Sequence, residues 1–298
     1  MDRMDCDKMF IAIIETGNFT RAAKRLGTSF GQASKLISKL ETDLSVTLFR
    51  RTTRSITPTE IGVAYYARIK PLIAEYEALN DDIQLTSQNP RGLLRISVPV
   101  TFGYSQLTPI LLKFAHRYPE IELDIQFSDR VAHIIDEGFD LAIRIGHLTD
   151  SSLIARKLSH IRTLVVTSPQ YMKKHGYPAH WSELPNYNCI LDTNFVNPYI
   201  WSFTDHQHKN HFQTVHGNLK FSNAEACLKA VCDGFGVARL PDFVVEKAIS
   251  KGELSVILDE YEAQPLGLFV IYPPTKYLAH KSRAMIDFLI DAFSTSHT

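Results

Sequence analysis

The chain has 298 residues, 45% hydrophobic and 21% charged, a balance that excludes a disordered, collagen-like or disulfide-scaffold polypeptide. Its 32 Lys and Arg cancel its 32 Asp and Glu, so taken whole it is no histone-like polyanion binder. The length suits roughly two domains. No stretch approaches the ~18 uninterrupted apolar residues of a membrane span, and Cys6, Cys189, Cys227 and Cys232 form no C-x-x-C pair. A cytoplasmic, reducing setting away from membranes is therefore expected. A redox pair of Cys227 and Cys232 would need a basic neighbourhood that their flanks do not plainly supply.

Met9, Phe10, Ile13 and Ile14 recur at helical spacing before Gly17-Asn18, which reads as a helix and its stop. Thr20 is the expected cap of a short second helix, with Ala22, Ala23 and Leu26 inward and Gly27 as its left-handed exit. Ser29-Phe30-Gly31-Gln32 has capping-box spacing and opens a third helix. Ala33, Leu36, Ile37, Leu40 and Leu44 make its buried stripe, leaving Ser34, Lys35, Ser38 and Lys39 on the opposite face. Two helices across a tight turn, the second presenting hydroxyls and lysines, are what a helix-turn-helix needs to enter a major groove. From Thr20 to Arg54 there are eight basic residues against two acidic, a net +6 that the overall zero conceals. Arg50-Arg51-Thr52-Thr53-Arg54-Ser55 then suits a wing touching phosphates or the minor groove. Gly27-Thr28-Ser29-Phe30-Gly31 spells the hydrolase pattern G-x-S-x-G, but that elbow needs a strand before the serine and a helix precedes it here.

Thr57, Pro58 and Glu60 read as the cap and first turn of a long helix. Ile61, Tyr65, Ile69, Leu72, Tyr76, Leu79 and Ile83 trace a coiled-coil seam along it, with dimerisation as the natural reading and packing on its own domain as the alternative. Pro71 should kink this helix. After the turn cluster Asn89-Pro90-Arg91-Gly92, strands (93–98, 122–127, 140–145, 162–167, 189–192, 200–203, 237–240, 266–272) alternate with helices (104–117, 132–137, from Pro169, 223–232, from Pro241, 279–292), the grammar of an α/β fold. Two further signals read as structure. Gly234-Phe235-Gly236 follows a helix rather than a strand, which favours a helix stop over a dinucleotide fingerprint. Asp205, His206, His208, His211 and His216 sit in a polar hairpin-like stretch without metal-ligand spacing, so no metal site is expected.

Glu15-Thr16-Gly17-Asn18-Phe19-Thr20, Ala22-Ala23, Leu26-Gly27, Ser29, Ala33-Ser34-Lys35, Leu40-Glu41, Leu48-Phe49, Arg51-Thr52-Thr53-Arg54 and Thr59-Glu60 with Gly62 closely resemble the winged helix-turn-helix of LysR-type transcriptional regulators. The chain departs from that pattern at Phe30-Gly31 and at Ser45, where the family usually has a helix-ending Gly. Tyr118-Pro119, Asp140 to Gly146, Ser168-Pro169, Gly234 to Pro241 and Gly252 extend the resemblance over nearly the whole chain. It implies a DNA-binding domain over 1–57, a linker and dimerisation helix over 58–88, and a periplasmic-binding-protein-like effector domain over 91–298. Its first lobe would comprise 91–161 and 267–298, and its second lobe 162–266. Double-stranded operator DNA and a homodimer or homotetramer follow as partners, without enzyme activity or cofactor.

Ser34, Lys35 and Ser38 are expected to face bases and Arg51, Thr52, Thr53 and Arg54 to hold the backbone or minor groove, with Arg21, Ser29, Phe30, Gln32 and Lys39 also at the DNA. Ligands in such folds sit at the carboxyl ends of strands, which selects Val100, Thr101, Phe102, Ser128, Gly146 and Asn223. Amides and hydroxyls there suit a polar or anionic small molecule, although each residue also reads as a cap. The rival readings are an α/β enzyme and a solute-binding module without a DNA role.

Overall fold

The structure, a computed structural model, describes residues 2–51, 56–83, 90–130, 137–147, 153–275 and 278–294. Helix α1 (Arg3–Thr16) ends on Gly17 at φ 64, and α2 (Phe19–Arg25) starts at once. Its cap is Asn18 rather than Thr20: the Asn18 side-chain Oδ1 accepts from the backbone amides of Thr20 (2.7 Å) and Arg21 (3.2 Å). Both residue types can cap, and the tighter turn after Gly17 decides for the earlier one. Helix α3 (Phe30–Leu44) is capped by the Ser29 hydroxyl, which accepts from the Gln32 amide at 3.2 Å. Met9, Phe10 and Ile13 of α1 close over Ala22 and Ala23 of α2 and Ala33, Ile37 and Leu40 of α3, all essentially inaccessible to solvent.

Ser45 ends α3 in the left-handed region at φ 55, where the family pattern has glycine. A side chain there carries a steric cost that glycine avoids. Ser45→Gly is accordingly expected to stabilise the protein by about 1 kcal/mol, read as a rise in the urea midpoint at unchanged m-value.

Strands β1 (Phe49–Arg51) and β2 (Ile56–Pro58) form the antiparallel wing. Thr52, Thr53 and Arg54 at its tip lie outside the described residues, as does the Arg51 side chain. Pro58 pairs with Phe49 in the wing, so α4 (Glu60–Ile83) is capped by Thr59 instead of Thr57. The Thr59 hydroxyl accepts from the Gly62 amide at 3.0 Å and donates to the Thr47 carbonyl at 2.8 Å. A Cβ on Gly62 would lie 2.3 Å from the Leu48 carbonyl oxygen, which is why this contact needs glycine. The expected seam of α4 divides in two. Tyr65 and Ile69 pack on the core of α1 to α3, Ile61, Leu72 and Tyr76 stay about half exposed, and Leu79 and Ile83 fall outside the described side chains. Among the described side chains of α4 the buried apolar ones are Tyr66 and Ile73, one heptad apart on the neighbouring face. Helix α4 carries Pro71 inside it.

Among the described residues the rest forms two five-stranded sheets and a separate two-stranded hairpin. Strand β3 (Gly92–Val98) leads into α5 (Val100–Phe102), a π-helical turn at Gly103–Leu107 and α6 (Thr108–Arg117), so the helical stretch begins four residues before the expected Tyr104. Strands β4 (Ile121–Phe127), β5 (Leu141–Gly146) and β6 (Ile154–Ile161) follow, and the helix expected at 132–137 lies, Glu137 apart, outside the described residues. The chain then crosses into β7 (Thr163–Thr167), α7 (Pro169–His175), β8 (Cys189–Asp192), the hairpin of β9 (Ile200–Thr204) and β10 (Asn210–Thr214), β11 (Lys220–Phe221), α8 (Ala224–Cys232), β12 (Val237–Pro241), α9 (Asp242–Ser250) and β13 (Ser255–Val256). It returns through β14 (Leu266–Tyr272) and α10 (His280–Ser294).

The first sheet has the order β4-β3-β5-β14-β6 and the second β11-β8-β12-β7-β13. In each, parallel strands carry helices over an apolar core, with antiparallel strands completing the sheet. Phe114, Leu141, Leu268 and Met285 fill the first core, and Leu184, Trp201, Phe203 and Val237 lie in the second. The two crossing segments meet where the Arg162 guanidinium grips the Glu262 carboxylate, with Nε donating to Oε1 at 2.8 Å. Among the described residues no helix is long and apolar enough to cross a membrane.

Candidate functional site

The polar face of α3 stands clear of the helical core. Lys35, Ser38, Ser29 and Phe30 are exposed, Gln32, Ser34 and Lys39 half-buried, and Arg21 projects from α2 on the same head. Phe30 is 58% exposed and rests edge-on against Phe19 at 5.7 Å. A Cβ at Gly31 would touch only the Ser29 hydroxyl, at 4.0 Å, so packing does not require this glycine and the helix start stays bare. Of the charges in the +6 stretch, two are spent internally. Glu41 turns in to accept from the amides of Leu48 (2.7 Å) and Phe49 (3.1 Å), fixing the wing to α3, while Arg25 pairs with Glu15 at 2.7 Å.

A second feature lies between the sheets. A cleft with about 690 Å³ of space, including its open mouth, is lined from the first lobe by Thr101, Phe102, Ser128, Asp129 and Arg144. Asp192, Asn194, Phe195, Ala224 and Phe243 face it from the second. Thr101, Phe102 and Ser128 of the expected residues thus meet there. Val100 contributes its amide, which donates to Asp129 Oδ1 at 2.9 Å. Gly146 follows the lining residue Ile145, and the Asn223 side chain is engaged as the cap of α8, accepting from Ala226 N at 3.0 Å. Asp129, Arg144, Asp192 and Asn194 were not anticipated. Asp192 was findable by the same rule, since it ends β8 after the buried run Cys189-Ile190-Leu191.

Burial pushes the Asp192 carboxyl up to about 6, with Asp129 across the cleft adding to the rise and Arg239 and the Asn194 amide opposing it. Burial pulls the Arg239 guanidinium down to about 10 against the attraction of Asp192. That guanidinium lies over the Phe195 ring at 4.4 Å, and its Nε is buried without a hydrogen-bond partner among the described residues. Arg144 turns both terminal nitrogens onto the sheet, donating to the carbonyls of Ser97 (3.2 Å) and Ile143 (2.7 Å) and to the Ser97 hydroxyl (2.7 Å).

A charged cluster joins the helical head to the first lobe. Glu15 of α1 is bound by Arg25 of α2, by Lys70 of α4 (3.0 Å) and by the Tyr66 hydroxyl of α4 (3.1 Å). Lys70 also donates to the carbonyl of Gly138, which Arg95 of β3 shares.

The remaining motifs are structural. Ser29 caps a helix, Gly234 takes φ 78 at the turn after α8, and a Cβ on Gly236 would lie 2.0 Å from the Asn188 carbonyl oxygen. His211 binds Asp205 at 2.7 Å within the β9–β10 hairpin, and among the described residues no group of three or more potential ligands could hold a metal ion. Burial pushes the Cys227 thiol up to about 12 and also raises Cys232, the opposite of a reactive pair.

Residues 8–63 match the family described as bacterial regulatory helix-turn-helix protein, lysR family, and residues 87–294 match the LysR substrate binding domain. An HTH-type transcriptional regulator of Haemophilus influenzae is 35% identical over 281 residues, covering 94% of this chain and 97% of its own. The structure of CrgA, a LysR-type transcriptional regulator from Neisseria meningitidis, is 29% identical and covers 97% of this chain and 98% of its own, with a TM-score of 0.61. The full-length Vibrio cholerae virulence activator AphB is 26% identical over 98% of this chain and 99% of its own, also at a TM-score of 0.61. Its helix-turn-helix head, two-lobed substrate-binding domain and full-length relatives place this chain in the LysR family of DNA-binding transcriptional regulators, which are not enzymes.

Proposed function

We propose that this regulator reads its operator with the exposed face of α3 and changes its DNA arrangement when a polar small molecule fills the interlobe cleft. Ser34, Lys35 and Ser38 would contact bases, and Arg21, Lys39 and the wing residues Arg51 to Arg54 would neutralise phosphates. The observation that carries this reading is the cleft itself: residues of both lobes line one cavity at the carboxyl ends of β8 and β5 and at the start of α5. A ligand touching both lobes has unequal affinity for their open and closed arrangements, which is what a switch requires. The chain would act as a homodimer or homotetramer, with Ile61, Leu72 and Tyr76 of α4 covered by a second copy.

A gel shift on the promoter region beside the chain's own gene tests the DNA half. Specific binding should weaken as salt rises, and Lys35→Ala should cost about tenfold in affinity. Ser34→Ala should relax sequence preference more than it weakens binding. Unaltered binding by both variants would place the recognition surface elsewhere.

A further inference from the structure

In the interlobe cleft the guanidinium and helix-start amides of the described residues are already engaged, which leaves an anion chiefly the Thr101 and Ser128 hydroxyls. At each helix start that borders it, one amide is already engaged from within the chain. The Val100 amide donates to Asp129, the Ala226 amide to Asn223, and the Phe243 amide to its neighbour Asp242 at 2.7 Å. The cation in the lining, Arg144, has both terminal nitrogens on the sheet. An incoming carboxylate would have to displace Asp129, a tethered carboxylate that is always at hand.

What the cleft does offer is acceptors. Asp192 is 6% exposed and lines the cavity, and only its Oδ1 accepts a hydrogen bond among the described residues, from the Asn194 amide at 2.9 Å. Asp129 faces it from the other lobe, its Oδ2 reached by the Asn194 side-chain amide only at a long 3.5 Å. Two carboxylates and one committed guanidinium line it, and the Arg239 guanidinium beside Asp192 offsets only part of that carboxylate's charge. Phe102, Phe195 and Phe243 supply apolar walls around them.

We propose that the effector is a small organic cation: a protonated amine seated between Asp129 and Asp192, carrying an apolar body against the three phenylalanines. This rests on the cleft being the effector site and turns the polar or anionic ligand expected from amides and hydroxyls at the strand ends into a cationic one. An ammonium group donates to a carboxylate of each lobe at once, and the faces of the aromatic rings add a second attraction for positive charge. Because one carboxylate belongs to each lobe, the cation cancels the repulsion that opposes their approach, so binding favours closure.

The test uses the full-length chain and matched probes: 2-phenylethylamine, neutral 2-phenylethanol and anionic 3-phenylpropanoate, followed by thermal shift and calorimetry near neutral pH. The amine should raise the melting temperature, and neither isostere should match it. Asp192→Asn, which keeps size and the Asn194 contact, should weaken amine binding about tenfold or more. No shift with the amine, equal binding of the carboxylate, or undiminished amine binding by Asp192→Asn would overturn the proposal, as would a larger shift with magnesium or calcium ions. Thr101→Trp, which fills the cleft from a half-exposed position, separates the two levels. If it abolishes binding of an anion to which the native protein responds, the cleft stands and the cationic assignment falls. If it leaves amine binding intact, the cleft is not the effector site.

Discussion

Replacing Glu15 with Leu is expected to destabilise the protein by about 1–3 kcal/mol, because it removes the buried carboxylate that holds two cations still partly open to solvent. The Glu15 side chain is 4% exposed, and Arg25 and Lys70 are 30% and 19% exposed beside it. Burial is the largest influence on the carboxyl and would raise its pKa, yet Lys70 and Arg25 together outweigh it and hold the group below the ordinary value of 4.5. A depressed carboxyl contributes stability that is present above its unfolded pKa and is lost as pH falls through the folded one, so the cluster is intact at neutral pH and is released only in acid. Urea unfolding near neutral pH should show the full loss for Glu15→Leu, with the deficit shrinking at acidic pH, where the native carboxyl is protonated. The double variant Glu15→Leu, Lys70→Met should recover part of the loss, because the lysine is no longer left unpaired. A simple sum of the two single effects would show that the pair does not interact.

The position of this cluster gives it consequences beyond stability. Lys70 donates to the Gly138 carbonyl of the first lobe as well as pairing with Glu15 of the helical head. Gly138 itself, at φ 71, lies so close to α4 that a Cβ there would fall 2.0 Å from the Tyr66 hydroxyl. Helical head, linker helix and first lobe therefore share an anchor at this cluster.

Local signals were legible in the sequence, and long-range ones were not. The Ser29 cap, the Gly27 exit and the apolar stripe of α3 act within a few residues, and strand β14 matches its expected limits because 266–272 is an unbroken apolar run between turns. Strand β6 was invisible. It is an edge strand, pairing only with β14, and Arg156, Lys157 and His160 interrupt the alternation that a half-buried strand would show. The early start at Val100 was hidden for a similar reason. Gly103 reads as a helix breaker, but a Cβ there would press within 2.7 Å of Val98 and 2.9 Å of Phe127, so tertiary crowding requires glycine inside the π turn. In the cleft, the strand-end rule found Thr101, Phe102 and Ser128. It passed over the charges, because Asp129 and Asp192 meet only when two lobes far apart in sequence face one another.

Asp192→Asn is expected to stabilise the ligand-free protein by about 1–3 kcal/mol near neutral pH. The carboxyl sits at about 6 in the fold against an ordinary 3.8, chiefly through burial and then through Asp129. An acid whose folded pKa is raised contributes stability that is present below the unfolded value and is lost as pH rises through the folded one. The native protein should therefore lose stability between about pH 4 and 6 relative to the variant, and the gap between their melting temperatures should open across that interval. The charged and titratable neighbours are Asp129 across the cleft, Arg239 on β12, which offsets part of the cost, and Cys227 on α8, whose thiol stays protonated. Equal melting curves at both ends of the interval would mean that Asp192 ionises as freely as an exposed acid. A carboxylate kept at such a cost suits the cation site proposed above: a bound cation would restore the stability that ionisation removes, so its affinity and the cost of the charged Asp192 would have one cause.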